Sequence, residues 1–234
     1  MPPRRTPSAA LSYADTLSAL WFALDAFTHL AIEGSYLALA LGQTAAKSSS
    51  LFGAIWREYG NADRRWAGRD PTVISLELLT VFGGGPAAAA LVYAIVKCVR
   101  LREQPVVRAT HRVLRRRKPW RHLVQALLSL AELYGGWMTF APEWVEGSPN
   151  LVSHKESLLR FWVHLVFMNG LWVLIPLVLL AESCVQIVRA CDKAKTPAAG
   201  TALSAGWFHL CSLSLLAYAV LIPLIVGAIA MGKL

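Results

Sequence analysis

Asp25, His29 and Glu33 follow one another at intervals of four within LDAFTHLAIEG, in a stretch otherwise apolar enough to lie in lipid. Positions four apart on an α-helix differ by only about 40° around its axis, so the three groups form one slanting stripe. A charge at the centre of a membrane span costs about 2.5–3.5 kcal/mol on insertion scales. Such residues face a bundle interior, pair with one another, or mark a functional path. His29 and Glu33 fall in mid-span and are read as functional. Asp25 falls nearer the end and is read as solvated or as a structural partner.

Three more apolar stretches carry polar clusters. SLELLT holds Glu77 with Thr80 one turn on, AELYGGWMTF holds Glu132 and Tyr134, and FWVHLVFMNGLWVLIP holds His164, Asn169 and Trp172. Asn169 and Trp172 are three apart and share a face. This recurrence predicts a polar-lined cavity between four helices. A buried carboxyl can hold and donate a proton, a neighbouring imidazole can relay it, and an indole face stabilises a developing cation. Together they suit proton-shift isomerisation of an apolar alkene. The alkene is protonated, a carbocation forms, and a proton leaves the adjacent carbon. No cofactor is required. One His with two carboxylates is too loose a ligand set for a metal reading, and there is no P-loop, GxSxG, HExxH or CxxC.

The elements that must position these groups are membrane helices. The chain has 234 residues, 56% of them hydrophobic, a net charge of +9 and a mean hydropathy of +0.46. That balance is too apolar for an ordinary soluble domain. Five segments are long enough to span a bilayer, at 17–42, 72–97, 121–140, 158–182 and 207–231. The expected fold class is therefore an all-α, polytopic membrane bundle of about five helices, four of them forming the ligand-binding core.

Loop charge sets the orientation. Ten Lys/Arg against one acid, Glu103, lie between Lys97 and Arg121, as expected for a cytosolic loop rather than a nucleic-acid surface. Arg4 and Arg5, and Arg189, Lys193 and Lys195, fall on the same side in a five-span topology with a cytosolic N-terminus. The loop 43–71 dissents in part, with five basic and three acidic residues, and its WREYGNADRRW places aromatic rings at the membrane interface. Cys98, Cys184, Cys191 and Cys211 have no metal-type spacing and are expected to be thiols. No removable signal peptide is expected, so the first span would act as a signal anchor.

HLAIEG (29–34), WREYGNADRRW (56–66) with Asp70, LELLT (76–80), ELYG (132–135) and FMNGLWVLIP (167–176) occur together and in order. With these motifs the chain resembles the emopamil-binding protein family, the sterol Δ8–Δ7 isomerases with an EXPERA-type domain, from about Trp21 to Leu180. ELYGGWMTFAPEW with SPNL is closest in wording to the emopamil-binding-protein-like branch. The resemblance implies catalytic roles for His29, Glu33 and Glu77. It also implies substrate contacts from Tyr59, Thr80, Asn169 and Trp172, to which the polar cluster of the third span adds Tyr134. It implies a sterol or triterpenoid substrate, inhibition by cationic amphipathic amines, contact with membrane lipid, and an endoplasmic reticulum location. The chain departs from the isomerases in lacking a helix before the His–Glu helix, in adding 207–231, and in Gly136 where Asp is usual.

The expected organisation is a cytosolic segment 1–16, a four-helix domain 17–185, a connector 186–206 and an additional helix 207–234. The alternative to an isomerase is a non-catalytic sterol-, lipid- or amine-binding membrane protein. Gly83, Gly84 and Gly85 would permit close helix contact, at a homodimer interface or around a ligand.

Overall fold

The computed structural model describes residues 11–103 and 111–194, and the expected helix at 207–231 lies outside them. Among the described residues the chain is helical throughout, with one isolated antiparallel bridge between Asp63 and Leu151. The first long rod is α1 (Tyr13–Phe27), a π-helical stretch (Thr28–Glu33) and α2 (Gly34–Gly42). A short helix, α3 (Leu51–Gly60), follows. The second rod is α4 (Pro71–Leu79), a π-helical stretch (Thr80–Gly84) and α5 (Gly85–Glu103). The third is α6 (His111–Val145). The fourth is a π-helical stretch (Arg160–Met168) continuing as α7 (Asn169–Ala194).

Local chemistry starts these helices. Ser12 caps α1 by accepting the Asp15 N–H at 3.1 Å. Asp70 caps α4 by accepting the Val73 N–H at 3.0 Å, and Pro71 occupies the first turn, where its missing N–H costs nothing.

The packing is inside-out relative to a water-soluble bundle. Leu24, Phe27, Leu79, Phe82, Leu127, Phe167 and Leu174 are exposed, whereas Asp25, His29, Glu77, Gln125, Ser129 and Ser183 are buried. Water would reverse this arrangement, and lipid selects it. Pro71–Lys97 and Arg160–Asp192 are each long and apolar enough to cross a membrane on their own. The first rod and α6 hold the ionisable residues that lower their hydropathy. The chain is an all-helical membrane bundle.

Two apolar clusters hold the rods together. Trp21, Phe22, Ala26, Ala88, Leu91, Ile95, Leu128 and Leu179 join all four rods. Tyr36, Ala40, Ala45, Trp56, Trp66 and Val73 seat α3 and the 43–71 loop against α2 and α4. Trp56 and Trp66 stack at 4.9 Å with their planes 6° apart.

That loop explains its own dissent from the charge rule. Arg57 binds the Ala45 and Ser48 carbonyls, and Arg69 donates to the Gly42 carbonyl at 2.8 Å. Arg65 is locked between Asp63 at 2.6 Å and Glu143 at 3.5 Å. Three of the five basic side chains are thus engaged in internal contacts.

The last core helix runs to Ala194, past the connector boundary expected at 185. Gly85 and Gly84 close onto the first rod of the same chain. A Cβ on Gly85 would meet Leu30 Cγ at 2.7 Å, and one on Gly84 would meet His29 Cδ2 at 3.3 Å. Of the three, Gly83 alone has no atom within 4 Å of its would-be Cβ. Gly84 and Gly85 therefore serve contact between helices of one chain.

Candidate active site

His29 stands at the centre. It lies in the π-helical turn Thr28–Glu33 of the first rod and is 3% exposed. Its Nδ1 is 2.5 Å from Glu33 Oε2, and its Nε2 is 3.1 Å from Asp25 Oδ1. The stripe expected from the spacing is therefore a continuous contact, carboxylate–imidazole–carboxylate, along one helix.

Glu77 is brought against Glu33 from the second rod, and it is 5% exposed. Thr80 Oγ1 donates to Glu77 Oε2 at 3.1 Å, so the Glu–Thr pair one turn apart acts as one unit. From the fourth rod, Trp172 Nε1 donates to Asp25 Oδ1 at 2.9 Å, while its ring lies 5.2 Å from that of Trp21. From the third rod Glu132 completes the group. One ligand-type atom each of Asp25, His29 and Glu132 lie within 4.8 Å of one another.

Tyr59 and Asn169 form a second grouping, at the α3 end. Asn169 Nδ2 donates to Tyr59 Oη at 3.1 Å, and also to the His164 and Leu165 carbonyls at 2.9 and 2.8 Å. The last two bonds satisfy carbonyls within the π-helical stretch. Burial pushes the Tyr59 hydroxyl above its ordinary pKa, and Asn169 donating to it pulls the other way. The hydroxyl stays protonated, a donor in reserve.

Of the residues expected at the site, His29, Glu33, Glu77, Thr80 and Trp172 meet around the first rod, and Tyr59 pairs with Asn169. Tyr134 does not join them. Tyr134 is 61% exposed, because it lies two residues from Glu132 and so points to the opposite side of α6. The reading of Asp25 as solvated is also corrected, since Asp25 is 0% exposed. Helix α1 begins at Tyr13, before the expected 17, which places Asp25 about three turns inside the rod. Asp25 and Glu132 belong to the cluster although the sequence assigned neither a catalytic or substrate-binding role.

Three of the rods become π-helical where they carry expected site residues: His29 and Glu33, Thr80, and the turn ending at Asn169. π-turns are rare and concentrate at functional sites, because the wider turn redirects side chains.

The EXPERA (EXPanded EBP superfamily) model matches residues 51–183, more than half of the chain. The chain belongs to the EXPERA family. Within the EXPERA match lie Tyr59, Glu77, Thr80, Glu132, Asn169 and Trp172, and the His29–Glu33 turn precedes it. A 3-beta-hydroxysteroid-Delta(8),Delta(7)-isomerase of Cavia porcellus is 32% identical over 177 residues, 74% of this chain and 66% of that protein. A probable isomerase of the same name in Oryza sativa subsp. japonica is 28% identical over 191 residues, 81% of this chain and 76% of that protein. A protoglabretal synthase of Ailanthus altissima is 26% identical over 185 residues, 79% of this chain and 74% of that protein.

Proposed function

We propose that this chain is a sterol or triterpenoid double-bond isomerase of the Δ8 to Δ7 type, acting by protonation and deprotonation at neighbouring carbons. The observation that carries this reading is the set His29–Glu33–Glu77, three proton-handling groups in contact across two rods. The relatives named for Δ8,Δ7 isomerisation point to the same substrate class.

The chemistry needs an acid beside one alkene carbon and a base beside the next. Glu33 and Glu77 are two carboxyl groups fed by one imidazole, so either can give a proton while the other takes one. Thr80 Oγ1 holds Glu77 in orientation. Trp172 lies one hydrogen bond from the cluster and offers its ring to the cation. The proton given and the proton removed balance, so neither cofactor nor metal enters.

A site built to stabilise a carbocation also attracts an ammonium group on an apolar body, and cationic amphipathic amines are the expected inhibitors. The basic 97–121 region and the basic residues near both ends of the core support an endoplasmic reticulum membrane topology with a cytosolic N-terminus.

The deciding experiment is expression in cells lacking their own Δ8–Δ7 isomerase, followed by sterol profiling. The reading requires conversion of Δ8 to Δ7 sterol or, with triterpenoids supplied, a shifted double bond. Conversion must be lost in His29→Ala and Glu77→Gln. Tight sterol binding without any conversion would instead make the chain a non-catalytic binder.

A further inference from the structure

Asp25, which is buried, and Glu132, which is half-buried with both carboxylate oxygens buried, are acids that the proposed reaction does not use. They sit on different rods, α1 and α6, and meet at the Nε2 edge of His29, opposite Glu33. Asp25 Oδ1 receives the Trp172 N–H and lies 3.1 Å from His29 Nε2, but Asp25 Oδ2, Glu132 Oε1 and Glu132 Oε2 are buried without a hydrogen-bond partner. Among the described residues no Lys or Arg forms an ion pair with either acid.

Orphan acceptors this deep are costly, and facing unpaired carboxylates more so. A proton between the two acids removes both problems, because one acceptor becomes a donor to the other. A divalent ion would also neutralise them. It would, however, place two positive charges beside the site where the proposed reaction builds a carbocation. The proton is the occupant compatible with that chemistry.

We propose that Asp25 and Glu132 share one proton and form a second acid pair behind His29, a positioning device for the imidazole and for Trp172. With the rear pair held at a single negative charge, His29 is drawn towards Glu33 rather than pulled off it. The indole stays pinned through Asp25 Oδ1. The choice of a proton over a divalent ion and its catalytic consequence both rest on the isomerase reading, whereas the unpartnered acids themselves do not.

The test compares Glu132→Gln with Glu132→Ala in the full chain, in lipid. A Gln side chain keeps the shape and supplies an N–H to Asp25 in place of the shared proton, whereas Ala supplies nothing. Infrared spectra should show a protonated-carboxyl C=O band, shifted in D2O, that is absent from Glu132→Gln and from Asp25→Asn. It should differ from any band lost in Glu77→Gln. Thermal stability should follow wild type, then Glu132→Gln, then Glu132→Ala. In a turnover assay Glu132→Ala should lower kcat about tenfold with KM little changed, and Glu132→Gln no more than about threefold, as expected for a lost buried partner against a retained one.

A stoichiometric divalent metal in the wild type, lost in Glu132→Gln, would overturn the shared proton. So would equal damage from Gln and Ala, or an unchanged infrared band in both single variants. Should either variant fold poorly, a thermal double-mutant cycle on Asp25→Asn and Glu132→Gln decides, since additivity would mean that the acids are not coupled. If wild type converts no sterol, the band and the stability order still judge the pair. A failed isomerase reading is thereby separated from a failed proton pair.

Discussion

Alanine at each of Gly83, Gly84 and Gly85 should produce three different outcomes, because the three glycines face different surroundings within one turn. At Gly83 the new Cβ meets no atom within 4 Å, so Gly83→Ala should change stability by no more than about 0.5 kcal/mol. At Gly85 it would lie 2.7 and 2.8 Å from Leu30 Cγ and Cδ2 and 3.2 Å from His29 Cβ. Overpacking of this kind costs about 1–3 kcal/mol. Leu30 is 46% exposed and can swing towards lipid, which puts the alanine at the low end, about 1 kcal/mol. A bulkier Gly85→Leu should reach the high end. Gly84 is the informative position. Its Cβ would come 3.3 Å from His29 Cδ2 and 3.5 Å from Nε2, so the ring must yield by a few tenths of an ångström. His29 is held by Glu33 on one side and Asp25 on the other, and it yields only by disturbing those contacts. A displacement of about 1 Å at a catalytic group can cost about a hundredfold in rate. A few tenths should then cost roughly threefold to tenfold in kcat, with less than about 1 kcal/mol of stability lost. The assay is sterol conversion in reconstituted vesicles beside thermal unfolding of the same samples. Wild-type turnover in Gly84→Ala, or a rate loss in Gly83→Ala as large as that in Gly84→Ala, would refute the claim that this glycine face sets the imidazole.

Three further outcomes are expected. Trp172→Ala should weaken a cationic amphipathic amine about tenfold or more, since a cation over a desolvated indole is worth about 2 kcal/mol and tenfold is about 1.4; Trp172→Phe should cost less, and binding of a neutral isostere should barely change, so equal losses for both ligands would leave Trp172 as packing and a donor to Asp25 only. Arg65→Met strands Asp63 and Glu143, whose side chains are 1% and 4% exposed, and should destabilise by about 3–5 kcal/mol. Thermal unfolding in detergent, with Arg65→Lys as an intermediate, checks it. The exposed pair of Glu58 and Arg160 should behave oppositely: Arg160 bound to it holds the Glu58 carboxyl below its ordinary pKa, so any contribution is present at neutral pH and lost as pH falls through that lowered value. Glu58→Gln should leave unfolding unchanged at physiological salt, and a large shift would show the pair to be more than a surface contact.

The His29–Glu33 contact was legible because its signal is local. Four-residue spacing brings His29 to Glu33, and three-residue spacing brings Thr80 to Glu77, within one helix and without knowledge of any neighbour. The same rule, applied to Glu132 and Tyr134, shows that they cannot share a face, and treating them as one polar cluster placed Tyr134 wrongly. Of the two readings of Asp25, structural partner holds and solvated fails, for a different reason. Hydropathy locates the apolar stretch but not the first hydrogen-bonded turn, and the Ser12 cap that starts α1 early carries Asp25 into the core. The contact of Asp25 with Glu132 depends on how α1 and α6 are rotated against each other, which no single-helix pattern encodes.

The π-helical turns account for how so many polar groups share one place. An ideal α-helix offers one stripe, and the partners of His29 at four-residue spacing drift around the axis as the stripe lengthens. The wider turn at Thr28–Glu33 begins three residues after Asp25, and the drift changes there. One imidazole can then face a carboxylate from the turn before and another from the turn after. The facing rod widens at Thr80–Gly84, directly after Glu77, and its glycines let the two widened segments approach to side-chain contact. At this contact His29 is 3% exposed, and the groups nearest its ring nitrogens are carboxyls of the cluster itself. The proton inventory of the cluster is therefore set by its own carboxyls, and this is why a fourth acid at its rear edge has consequences for the two at its front.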